Sequence, residues 1–78
     1  MSYVYRTKFV NRLSSELQFF LEPWGEQYRL VPGAQIVVIA TADAEGELEV
    51  QLNSAQITVF GWVGSTVRVV QDGNATNV

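Results

Sequence analysis

Carboxylates and aromatic rings are nearly the whole chemical repertoire of this chain. Glu22 and Glu26 flank the bend Glu22-Pro23-Trp24-Gly25-Glu26, and two carboxyl groups about a sugar ring are what a glycosidase needs. Such a pair also needs a cleft that excludes water and holds the sugar, and 78 residues leave little material for one. Asp43, Glu45, Glu47 and Glu49 alternate around Gly46 and could offer oxygens to Ca²⁺. Their spacing matches no EF-hand loop, so a solvated polar hairpin loop over residues 43–47 is the simpler expectation. Cysteine and histidine are absent, and Met1 is the single methionine. The chain therefore lacks a thiolate, an imidazole base and the usual ligands for zinc or copper. It also lacks a glycine-rich phosphate loop and a serine elbow. These absences predict a protein that is not an enzyme, with no catalytic residue, no cofactor and no metal.

Aromatic side chains are the other resource. Exposed Trp and Tyr stack on sugars or anchor protein partners, because they offer large contact area at low entropic cost. Phe60 and Trp62 alternate with Ile57 and Val59 and are expected to fill the core. Trp24 sits between Pro23 and Gly25, where it either folds back as a lid, the preferred reading, or stands out as a contact. Trp24, Tyr28, Glu22 and Glu26 form the candidate contact for a ligand or partner.

Charge narrows the partners. The net charge is −3, yet Arg6, Lys8 and Arg12 fall in the first twelve residues, which hold no acid. Only Arg29 and Arg68 follow, against eight acids. Phosphate contacts need clustered Lys and Arg, so nucleic acid is not an expected partner. No apolar run approaches a signal peptide or the roughly 20 residues of a spanning helix, so no membrane partner is expected. With no cysteine to staple a secreted fold, the expected location is cytoplasmic.

The elements that must position these groups read as strands. Short apolar runs of period two alternate with turn chemistry every eight to twelve residues, the pattern of an all-β sandwich or partly open barrel. Tyr3, Tyr5, Thr7 and Phe9 form one face of a first strand, with Arg6 and Lys8 on the other. Residues 13–22 admit two readings. Leu17, Phe19 and Leu21 alternate as in a strand, while Leu13, Leu17, Phe20 and Leu21 fit a helix; strand is preferred because adjacent Phe19 and Phe20 suit an element covered on both faces. Gln27 to Val31 continues as a strand. Val31-Pro32-Gly33-Ala34 is a type II turn by its Pro and Gly. It opens Gln35 to Ala40, apolar on both faces and hence central. Leu48, Val50 and Leu52 alternate with Glu47, Glu49 and Gln51 in the cleanest such pattern here, and predict an inward apolar row. Strands around Ile57–Val59 and Thr66–Gln71 complete about seven, in an antiparallel arrangement. Residues 1–73 are one domain, and residues 74–78 are a loose tail.

The run Glu22-Pro23-Trp24-Gly25-Glu26, with Leu30 and Pro32-Gly33 after it, resembles a pattern of short bacterial proteins of unassigned activity. In these an asparagine-containing turn, an EPWGE-type bend and an L-x-P-G turn follow in order, here across residues 11 to 73. The resemblance implies a cupredoxin-like or immunoglobulin-like sandwich. It implies no copper, since neither His, Cys nor an internal Met is present, and it carries no activity.

The function expected on these grounds is a non-enzymatic protein-interaction or assembly module. A carbohydrate-type binding module built on Trp24 and Tyr28 is the alternative. Edge strands of a sandwich must be charged, covered or paired. Arg6 and Lys8 are expected to pair with Glu47 and Glu49, either across neighbouring strands or with a second copy in a homodimer.

Overall fold

In a computed structural model the protein is described over residues 2–71 and the backbone of residues 75–77. That part contains eight strands and no helix: β1 (Tyr3–Val10), β2 (Leu17–Glu22), β3 (Glu26–Leu30), β4 (Gln35–Ala42), β5 (Glu49–Asn53), β6 (Gln56–Phe60), β7 (Thr66–Gln71) and β8 (Ala75–Asn77). They form a three-stranded sheet in the order β1-β4-β7 and a five-stranded sheet in the order β5-β6-β2-β3-β8. Neither sheet closes on itself, so the sandwich, not the barrel, is what forms.

The ambiguous segment is settled by where it sits. β2 lies between β6 and β3, with Leu17, Phe19 and Leu21 buried and Gln18, Phe20 and Glu22 half-buried on its other face. A strand with neighbours on both edges and a half-buried outer face accommodates adjacent phenylalanines, and the helical reading of residues 13–22 falls away. β4 is central in its own sheet, as its two-faced apolar run predicts. The Val31–Ala34 turn forms as its chemistry dictates, with Gly33 at φ 86° and the Ala34 N–H donating to the Val31 carbonyl at 2.9 Å.

Three expectations are corrected. The arrangement is not wholly antiparallel: β2 and β6 pair in parallel, Phe19 beside Ile57 and Leu21 beside Val59. Parallel neighbours need a crossover, and the chain supplies one by leaving this sheet after β3, building β4 opposite, and returning through β5. Residues 43–47 are accordingly not a hairpin loop, because β4 and β5 belong to different sheets. They cross between layers, and Gly46 lies so close to the Trp62 indole that a Cβ there would overlap the ring. Finally, residues 75–77 of the expected loose tail form β8, antiparallel to β3, with Leu30 beside Ala75. Residues 74 and 78 lie outside the described residues.

Between the sheets, Phe19, Leu21, Leu30, Ile36, Val38 and Val59 are fully buried. Phe9 of β1 meets Phe19 edge-on at 5.3 Å between ring centres, and Phe19 meets Tyr28 at 6.1 Å. Tyr5 meets Trp62 edge-on at 5.5 Å. These contacts set β1 over β2 and β6. At the far end of β1 the buried Asn11 ties three segments together. Its amide nitrogen donates to the carbonyls of Ser15 and Leu30, and its side-chain oxygen accepts from the Leu13 N–H, each at 2.9 Å.

Candidate interaction site

Three strands cannot cover five. β1 ends its sheet above β6 and β2, so β5 extends beyond it as the outermost strand of the other layer. The register puts Val50 beside Val59 and Leu52 beside Ile57, which places both on the inward face as their alternation predicts. The expected burial does not follow. All five residues of β5 are exposed, Val50 at 42% and Leu52 at 74%. The inward row has no opposite layer to meet.

The result is a step. Its riser is the free edge of β1, whose one strand partner among the described residues is β4. Its tread is the apolar face of β5. At the Asn11 end the step deepens into an open cavity of about 330 Å³ whose lining includes Val10, Asn11, Leu13, Leu17, Leu52 and Ile57. Leu13 on the rim is exposed as well. Adjoining apolar side chains left open to water in this way mark a contact surface more often than scattered single ones do.

Above the step the outward face of the three-stranded sheet is basic. Arg6 pairs with Ile39, and Ile39 with Arg68, in one row across the strands. Lys8 lies in the next row beside Val37 and Val70. Ile39 is only 5% exposed although it faces outward, and it stands between the two arginines of its row. Among the described residues the side chains of Arg6, Lys8 and Arg68 have no ion pair. The one ion pair described is Arg29 with Glu16 at 3.3 Å, nearly half exposed on both sides and worth about 0–1 kcal/mol.

The intramolecular pairing expected of Arg6 and Lys8 with Glu47 and Glu49 is not made. β1 and β5 stand in different layers; Glu49 lies beside Phe60, and Glu47 lies in the crossing segment. The other expected contact is also dispersed. Tyr28 belongs to the core, 6% exposed, with its ring against Phe19 and its hydroxyl donating to Glu26 at 2.6 Å. Trp24 lies at the rim, 43% exposed, with its ring folded towards Gly61. Leu21 pairs with Glu26, which puts Glu26 on the inward face and the neighbouring Glu22 on the outward one. Trp24 and Tyr28 thus share no open stacking face, and the two carboxylates do not converge. Among the described residues, no three acidic side chains gather as a metal site, and no helix is long and apolar enough to cross a membrane.

Sequence reasoning reads Arg6, Lys8, Glu47 and Glu49 as edge-pairing charges, and it does not read Val50, Leu52 and Leu13 as open surface. The signal for those three is not in their own segment. It is the strand count of the opposing sheet. Comparison with protein-family models, curated proteins and solved structures returns no match, so the site stands on its geometry alone.

Proposed function

We propose that this chain is a non-enzymatic protein-interaction or assembly module that engages its partner through the step between β1 and β5. The observation that carries this reading is the uncovered apolar row of β5. Fully exposing a leucine forgoes about 1.5–3 kcal/mol relative to burying it, and Leu52 is three-quarters exposed on a face built to be inward. Free β edges accept further strands, whose main-chain hydrogen bonds give affinity while side-chain pockets give selectivity. Cytoplasmic location belongs to the same proposal, since a cysteine-free core suits a reducing compartment.

A photoreactive residue in place of Leu52, with a second in place of Val63 on a surface turn as control, tests the reading in the native extract. Position 52 should form protein adducts that position 63 does not. Equal or absent labelling at the two positions would remove the step as a contact surface.

A further inference from the structure

We infer, resting on the proposed interaction role, that the step receives a second copy of this chain, with β5 of each copy pairing in parallel with β1 of the other. Consider a two-fold axis parallel to the strands, midway between the sheets and beside β1. A half-turn about it exchanges the two layers and exchanges left for right. The overhanging β5 of the second copy then enters the layer of β1, alongside its free edge and over the first copy's own β5. The two steps fit as a lap joint. Each layer of the dimer holds the three-stranded sheet of one copy and the five-stranded sheet of the other, so the unequal strand numbers cancel.

Direction and register follow from contacts within one copy. Tyr5 meets Trp62, and Val10 shares the cavity with Leu52, so β1 runs from the Trp62 end to the Asn11 end. β5 runs the same way, because Glu49 lies beside Phe60 and Asn53 beside Gln56. Rotation about an axis along the strands keeps that direction, and the new pair is parallel. Phe9 lies over Phe19, which is level with Ile57 and thus with Leu52. Counting back by the strand period sets Lys8 level with Gln51, and Arg6 level with Glu49, of the second copy.

Both faces of the added strand then find complements. Its outward Glu49 meets Arg6, which has no ion pair among the described residues. Such an exposed pair fixes register more than affinity. Its inward Val50 and Leu52 face the same residues of the first copy across the layers and close the open end of the core. The isologous contact is closed and stops at two copies. Pairing β1 with β1 fares worse. It sets two Arg6–Lys8 rows side by side, and it drives both β5 strands into the same space.

Molar mass by light scattering over a wide concentration range, on the full chain, is the test, with circular dichroism to verify folding of each variant. Wild type should form a dimer at twice 8.7 kDa. Leu52→Glu should weaken it by about 100-fold, roughly tenfold for each of the two symmetry-related sites. Arg6→Glu and Glu49→Arg should each weaken it, and the double variant Arg6→Glu/Glu49→Arg should regain most of the loss. A dimer indifferent to Leu52→Glu, or one that the double swap does not rescue, overturns the lap joint. A strict monomer whose position 52 still labels another protein overturns self-association and leaves the interaction reading standing. A strict monomer with no adduct at position 52 removes both.

Discussion

Strands β2 and β5 lie two places apart in one sheet, and each carries apolar residues at every second position. In β2 the inward row of Leu17, Phe19 and Leu21 is buried beneath β1 and β4, and the outward row is half-covered. In β5 the inward row of Val50 and Leu52 faces solvent. Alternation fixes which side a residue points to. Whether that side is dry depends on the layer opposite, and the three-stranded sheet ends before it reaches β5. The same local pattern therefore serves as a core in one strand and as a contact surface in the other.

The largest expected effect tests the buried half of that contrast. Phe19 is fully buried, with Phe9 and Tyr28 edge-on against its ring. Phe19→Ala removes both contacts and leaves a cavity under β1, so it should destabilise by about 3–5 kcal/mol. That is a large fraction of the 4–12 kcal/mol typical of a domain this size, roughly 0.05–0.15 kcal/mol per residue. Urea unfolding followed by tryptophan fluorescence measures it. A loss below about 1 kcal/mol would mean that β2 is no better covered than β5, and the contrast would disappear.

A smaller effect is expected at the hinge between the two regions. Asn11 is buried at one end of the core and also belongs to the lining of the open cavity. Its side chain satisfies the Leu30 and Ser15 carbonyls and the Leu13 N–H, and truncation leaves all three without it. At about 0.5–1.5 kcal/mol for each bond, Asn11→Ala should cost about 2–4 kcal/mol. It should also raise the hydrogen-exchange rate of the Leu13 amide well above that of amides in β4. Unchanged exchange at Leu13 would show that the loop beside the cavity holds without Asn11.

These residues were not equally legible in the sequence. The Val31–Ala34 turn was readable because Pro and Gly fix backbone angles locally. The central place of β4 was readable because a strand covered twice is apolar twice. The parallel pairing of β2 with β6 was not readable, since strand periodicity says nothing about which neighbour a strand takes. Residues 43–47 carry the same Asp, Glu and Gly whether they close a hairpin or cross between layers, so local chemistry does not distinguish the two. The type of Asn11 suits a turn, and its burial depends on Leu30, nineteen residues away. For the candidate site, the charges of Arg6, Lys8 and Glu49 were visible and their distribution over two layers was not. The type of Tyr28 suits a contact, while its register beside Phe19 puts it in the core.

The smallest expected effect is the sharpest test of the exposed half. Leu52→Thr introduces a β-branched residue suited to a strand and removes apolar area that water already reaches. In protein dilute enough to be monomeric, its stability should change by no more than about 0.5 kcal/mol, as for other surface positions. Association changes that outcome in a defined way. A partner that binds only the folded chain adds stability by mass action, so the wild-type midpoint should rise with protein concentration. The Leu52→Thr midpoint should rise less steeply, and the two curves should meet on dilution. Curves that stay apart by more than about 1 kcal/mol at every dilution would place Leu52 in the core of the single chain, and the step would no longer be an open surface.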